Sequence, residues 1–205
     1  LIGLHCVSQA THQSGLITEI VRDRFHEKMA SAQLNALFKV EVGDFADLTP
    51  LLARWADLVA VSLPAADDEA AWQTIQQTRG LMLLVPPRPP QPVRQMLVVY
   101  DSSPYAREAL LVAAYLQREW QLPLTVMANE TDIAQATAAL ATYEQTATDL
   151  VMSEITAVSI QQTADQTGCD LIILGGYTSA IAFRQRRELL DELIRETAVS
   201  LLLCR

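Results

Sequence analysis

Apolar residues along this chain fall into two recurring arrangements: short unbroken runs, and longer stretches in which they return every three or four positions. An unbroken run suits a parallel strand covered on both faces, and the spaced pattern suits a helix with one buried stripe. The last stretch, Ala164 to Arg205, reads strand, small-residue loop, helix, strand, and its outline is echoed by Trp55 to Val85. Cys169 to Leu174 parallels Ala56 to Val61, each a polar lead-in before an apolar run. Each copy closes on a second run, Ser200 to Cys204 and Leu81 to Val85. A unit of this kind repeated at domain-sized spacing predicts a duplicated α/β domain.

In chain order, Leu1 to Val7 is strand-like and begins without an initiating methionine, as the interior of a longer protein would. Ser14 to Ala36 carries Leu16, Ile20, Val21, Phe25, Met29 and Ala32 at helical spacing, so a long amphipathic helix is expected. Phe38 to Val42 follows as a strand, Leu48 to Trp55 as a helix, Pro64 to Asp68 as a loop and Glu69 to Thr78 as a helix stopped by Arg79 and Gly80. The Pro-rich run from Pro86 to Pro92 cannot donate most ladder hydrogen bonds and reads as a semi-rigid spacer. The division expected is therefore residues 1–85, a linker at 86–93, and a second domain at 94–205. In the latter, Met96 to Tyr100 is a strand. Ser103 caps a helix with Pro104 at its first position, running to Trp120 with Leu110, Leu111, Ala114 and Tyr115 inward. Strands at Leu122 to Met127, Leu150 to Met152 and Leu171 to Leu174 alternate with helices at Thr131 to Thr146, Ser159 to Thr167 and beyond Gly176. Ser200 to Cys204 completes a β-α-β-α-β-α-β-α-β unit. The hydrophobic closing runs are expected to pair with each other, since each has an exposed edge to cover.

Composition narrows the function. At 205 residues, 50% hydrophobic and 19% charged, the chain can bury one or two cores. Its net charge of −9 opposes attraction to nucleic acid and anionic lipid. Cys6, Cys169 and Cys204 lack CxxC spacing and read as small buried hydrophobes in a reducing compartment. No apolar run reaches the roughly 18 residues of a membrane span, so a cytoplasmic location is the default expectation. His5, His12 and His26 lack metal-ligand spacing, Trp55, Trp72 and Trp120 read as packing, and the GxSxG, GxxxxGK[ST] and GxGxxG motifs are missing from the sequence. Nothing in the chain specifies an enzyme.

The order of elements, with Asp101 ending the first strand of the second unit and Asp170 to Gly176 late in it, resembles the universal stress protein family. Leu97 to Leu110, Cys169 to Gly176 and the closing Ser200 to Arg205 carry the likeness, and residues 1–85 share it more weakly. The resemblance implies two tandem open parallel sheets, Rossmann-like, of strand order 3-2-1-4-5. Leu1 to Val7 fits the family's second strand, so the first repeat would lack its first strand and helix, leaving two unpaired inner edges, and residues upstream of Leu1 are expected.

Some members of the family bind adenine nucleotide at the carboxyl ends of the strands, through a glycine-rich loop that admits phosphate to main-chain N–H groups. Here Gly175 and Gly176 open such a loop. Thr178 stands in place of its second glycine, and Glu188 with Leu189 in place of Gly-Ser. The first repeat has Ser62 to Ala66 and no glycine. Arg184, Arg186 and Arg187 cluster where the last helix is expected to begin, and either bind an anion there or pair with Glu188, Asp191 and Glu192 or face water. The candidate nucleotide or anion contacts are Asp101, Met127, Gly175, Gly176, Thr178, Arg186 and Arg187. No catalytic residue and no metal ligand is expected, and no cofactor, ATP being the one the family would bring. The function expected is that of a non-enzymatic universal-stress-type regulatory protein with a degenerate nucleotide site, acting through protein contacts as a pseudo-dimer of repeats or as a homodimer. The alternatives are a regulatory domain of a membrane transporter and an ATP-binding stress switch.

Overall fold

The computed structural model describes residues 1–7, 12–62, 68–87, 92–176 and 180–204, with the side chains of 12–14 and 180–185 outside that description. The strands are β1 (Ile2–Val7), β2 (Leu37–Val42), β3 (Leu58–Ser62), β4 (Leu81–Val85), β5 (Met96–Tyr100), β6 (Leu124–Ala128), β7 (Thr148–Val151), β8 (Leu171–Gly175) and β9 (Ser200–Cys204). The helices are α1 (His12–Ser31), α2 (Phe45–Ala53), α3 (Glu69–Gln77), α4 (Pro104–Trp120), α5 (Ile133–Thr142), α6 (Ala157–Thr167) and α7 (Ala180–Glu196). The chain forms two compact units, Leu1–Leu52 and Ala53–Arg205.

In the first unit β1 and β2 pair in parallel, Ile2 opposite Leu37 through Val7 opposite Val42. Phe25 of α1 packs on this pair. Its ring lies 5.4 Å from that of Phe38, and a Cβ on Gly3 would come within 2.6 Å of it, so a side chain there would displace the ring. The stripe expected of α1 is only partly used. Phe25 and Met29 are half-buried, whereas Leu16 is 64% exposed and Ile20 and Val21 are exposed too. Two strands offer too little surface to cover five helical turns. The helix also stops at Ser31, short of Ala36, where Gln33 takes a left-handed backbone with φ of 54°.

The second unit is a seven-stranded sheet of order β3-β4-β9-β8-β5-β6-β7. Within it β7-β6-β5-β8-β9 is a complete parallel set of order 3-2-1-4-5. Strand β4 joins it antiparallel to β9, Met82 opposite Leu203 and Leu84 opposite Leu201, and β3 lies parallel to β4. The two closing apolar runs therefore cover each other's edges. By packing, β3, α3 and β4 belong with the second domain, because the β4–β9 ladder ties them to it. The division by repeat at 85/94 is accordingly not the division by compactness. The spacer at 86–93 lies partly outside the described residues, as does the loop from Pro64 to Asp68. The strands of the first repeat fall into two separate pairs, β1 with β2 and β3 with β4, so that β1 and β3 each have one ladder partner among the described residues.

Alternation along each strand divides the core between the two faces of the large sheet. Met82, Leu84, Leu97, Ile172, Leu174, Leu201 and Leu203 meet Trp72 and Ile75 of α3, Ile160 of α6, and Leu190 and Leu193 of α7. Met96, Val98, Tyr100, Leu124, Val126, Leu171, Ile173 and Leu202 meet α4 and α5. This two-sided burial is why β8 reads as an unbroken apolar run. Helix α4 presents Ala106, Ala109, Leu110, Ala113 and Ala114 to the sheet, while Leu111 and Tyr115, expected inward, are exposed. Small side chains on the buried face let this helix lie close to the strands. Trp72 is buried as expected of a packing residue, but Trp55 is 92% exposed and Trp120 is exposed as well. Among the described residues no helix is long and apolar enough to cross a membrane.

Candidate functional site

Strand order reverses direction at β5: the chain steps to β6 on one side and β8 on the other. A crevice at the carboxyl ends of these strands is where open α/β sheets bind ligands. A cavity of about 400 Å³ opens there, lined by Val99 and Asp101 at the end of β5, Asn129 after β6, Ser153, Glu154 and Ile155 after β7, Leu174 and Gly175 of β8, and Arg186 and Leu189 of α7.

Arg186 spans the crevice. One terminal nitrogen donates to the Gly175 carbonyl at 2.6 Å; the other donates to the Asp101 carboxylate and to Ser103 Oγ, the latter at 3.1 Å. Its side chain is 23% exposed, so the ion pair is partly shielded from water. Asp101 also accepts from the Ser103 main-chain N–H at 3.2 Å, which holds Ser102 left-handed at φ 57°. Ser103 in turn caps α4 by accepting from Ala106 N–H at 3.1 Å. Across the loop, the Gly176 N–H donates to the Cys204 carbonyl at 3.1 Å. The two terminal nitrogens of Arg186 and the main-chain N–H groups of Ser103 and Gly176 thus already have acceptors.

The two glycines have packing reasons. A Cβ on Gly175 would stand 2.1 Å from the Tyr105 carbonyl oxygen and 2.9 Å from Ala106 N, because the first turn of α4 lies directly on β8. Gly176 has φ of 91°, and a Cβ there would stand 3.2 Å from Tyr105 Cβ and 3.4 Å from the Arg186 guanidinium.

Three of the sequence-predicted residues, Asp101, Gly175 and Arg186, line the cavity together, with Gly176 against Arg186. Met127 is fully buried in the sheet core and does not line it. Thr178 lies outside the described residues, as does the side chain of Arg184. Arg187 turns the other way, to α3, donating to Glu69 Oε2 at 3.0 Å with its guanidinium 5.4 Å from the Trp72 ring centroid. The arginines were expected at a helix start. Because α7 begins at Ala180, they sit in its second turn, beyond the first turn where the macrodipole repels cations, and the carboxylate partners of Arg186 and Arg187 are Asp101 and Glu69 rather than Glu188, Asp191 and Glu192. Glu188 is exposed and outside the lining; the second carboxylate at the cavity is Glu154. Asn129, Ser153 and Glu154 were missed by motif reasoning. The rule that parallel strands present their carboxyl ends to a ligand points to all three, since Asn129 directly follows β6 and Ser153 and Glu154 come two and three residues after β7.

The thiols lie away from the rim chemistry. Burial pushes the Cys204 pKa up to about 12, with Glu108 adding to it, and burial raises that of Cys169. Both are protonated, inert core residues. Among the described residues no group of His, Cys, Asp and Glu is arranged to hold a metal ion.

Neither a family model nor a curated protein matches the chain. Solved structures do. A universal stress protein from Archaeoglobus fulgidus DSM 4304 is similar with a TM-score of 0.78 at 13% identity, over 94% of this chain and 77% of that one. The fold is that of the universal stress proteins. A putative universal stress protein from Pseudomonas aeruginosa UCBPP-PA14 is similar over the whole of this chain and 82% of its own, at a TM-score of 0.62 and 13% identity. A functionally unknown protein from Pseudomonas aeruginosa PAO1 gives the same TM-score and identity over 81% of its length. The cavity of this universal-stress fold lies at the ends of the five-stranded parallel set, with its rim closed by the Asp101–Arg186 pair.

Proposed function

We propose that this chain is a non-enzymatic regulatory module of universal-stress type, acting through protein contacts, whose strand-end cavity is closed to nucleotide phosphates. The observation that carries this reading is the self-satisfied rim. Arg186, the one cation lining the cavity among the described residues, is bonded to Asp101, Ser103 and Gly175, and the N–H groups of Ser103 and Gly176 are bonded to Asp101 and to the Cys204 carbonyl. A polyphosphate entering here would have to strip those donors from their acceptors. Hydrogen bonds to charged groups are worth about 1.5–3 kcal/mol each when shielded and less at a partly wet site, whereas micromolar affinity amounts to about 8 kcal/mol in all. The incoming charge would also face the carboxylates of Asp101 and Glu154. Among the described residues the other polar lining groups are Asn129 and Ser153, with no histidine or cysteine beside them, so the lining suits binding rather than chemistry.

Titration calorimetry with Mg-ATP tests this reading. The expected outcome is no saturable heat up to millimolar ATP and no phosphate release above that of the Asp101→Ala protein. Saturable micromolar binding, or phosphate release that Asp101→Ala abolishes, would refute it.

A further inference from the structure

We propose that the strand-end cavity receives a small organic cation, an amine or guanidinium carried on an apolar body. This rests on the reading of the cavity as closed to phosphates and extends it to what the lining accepts.

Of the polar groups lining the cavity, Asn129 and Ser153 can both donate and accept. The carboxylates of Asp101 and Glu154, Ser103 Oγ and the Gly175 carbonyl are acceptors, and three of these four already converge on a guanidinium, that of Arg186. The cradle therefore displays an acceptor arrangement suited to a planar or ammonium cation, with the chain's own arginine as the occupant at one end. Once Asp101 and Arg186 cancel, the charged lining among the described residues keeps one negative charge, the Glu154 carboxylate, which has no ion-pair partner among them. Glu154 is fixed at the backbone, since its carbonyl accepts from Ser159 Oγ at 3.2 Å in the cap of α6, so its carboxylate is presented from an ordered turn. The apolar part of the wall is Val99, Ile155, Leu174 and Leu189. They are all aliphatic and come from three strand ends and α7. At about 400 Å³ the cavity is within the range of small-molecule sites, roughly 300–1,000 Å³, and is larger than a bare ammonium ion needs. A ligand that fills it places its charged end at Glu154, clear of Arg186, and its body against the four aliphatic side chains. An anion of the same size meets the unpaired carboxylate instead, which is how the site selects by sign of charge.

The test uses tyramine against 4-ethylphenol, which keeps the same ring and ethyl carbons without the amine, followed by methyl resonances of Val99, Ile155, Leu174 and Leu189 in the full chain. Tyramine is expected to shift these methyls saturably and to bind roughly tenfold or more tighter than 4-ethylphenol, with affinity falling as salt rises. Glu154→Gln is expected to bring tyramine down to the level of 4-ethylphenol while leaving 4-ethylphenol binding and the melting temperature unchanged. Equal binding of the two probes, no binding of either, or tyramine binding untouched by Glu154→Gln would overturn the cation site. In each of those cases inert Mg-ATP would leave the reading of a phosphate-closed rim standing. Saturable Mg-ATP shifts at the same methyls would overturn both.

Discussion

Gly175 distinguishes a glycine kept for a ligand from one kept for packing, and the substitution to ask is Gly175→Ala. The new Cβ would lie 2.1 Å from Tyr105 O, 2.5 Å from Tyr105 C and 2.9 Å from Ala106 N, all main-chain atoms of the first turn of α4. No rotamer relieves such a clash. The turn must withdraw by on the order of 1 Å to restore van der Waals separation. That movement carries Ser103 with it and stretches its 3.1 Å bond from Arg186 past useful length. Overpacking costs about 1–3 kcal/mol and the lost hydrogen bond about 1 kcal/mol more, so a total near 3 kcal/mol is expected. For a unit of about 150 residues this lowers the melting temperature by roughly 6–12 °C, readable by circular dichroism together with the urea midpoint. Gly176→Ala is the internal comparison. Its obstacles are a φ of 91°, Tyr105 Cβ at 3.2 Å and a flexible guanidinium at 3.4 Å, for a cost of about 1–2 kcal/mol. A Gly175→Ala protein within 1 kcal/mol of the parent, or more stable than Gly176→Ala, would refute the packing account.

Leu84→Ala, at a fully buried position of β4 beside the β9 ladder, is expected to destabilise the whole second unit by about 2–5 kcal/mol in a single transition; a cost below 1 kcal/mol would mean that β3, α3 and β4 are not part of that core. Cys204 supplies a pH signature. Because its folded pKa is raised to about 12 above an ordinary value of 9.0, the stability it contributes is full below pH 9 and is lost as pH rises toward 12. Between those values the parent should lose about 1.4 kcal/mol more per pH unit than Cys204→Ala, and parallel pH profiles of the two would contradict this.

The periodicity of the second domain was legible because local and tertiary preferences agree there. Met96–Tyr100, Pro104–Trp120 and Ser200–Cys204 fall where apolar runs, the Ser103 cap and Pro104 place them. Burial of α1 and the facing of α4 were not legible. A stripe of Leu16, Ile20 and Val21 declares that a helix is amphipathic without declaring how much sheet is available to cover it. On α4, the alanines that allow close approach outcompeted Leu111 and Tyr115 for the sheet. At the site, Asp101, Gly175 and Arg186 could be named from strand-end and loop position, but their mutual bonding spans 85 residues and has no local signal. Arg187 shows the same limit, since its partners Glu69 and Trp72 become neighbours only through the β4–β9 pairing. Glu154 belongs to no motif and is found only by following β7 to its end.

The central claim is that Arg186 is retained by Asp101, Ser103 and Gly175 and is not available to a phosphate. Arginine side-chain Nε–Hε resonances, assigned by comparison with Arg186→Lys, report it directly during a titration with Mg-ATP. The account predicts a dispersed Arg186 signal that stays in place up to millimolar nucleotide and collapses to the position of a free guanidinium in Asp101→Asn. A saturable shift of that signal with Mg-ATP in the parent protein would contradict it.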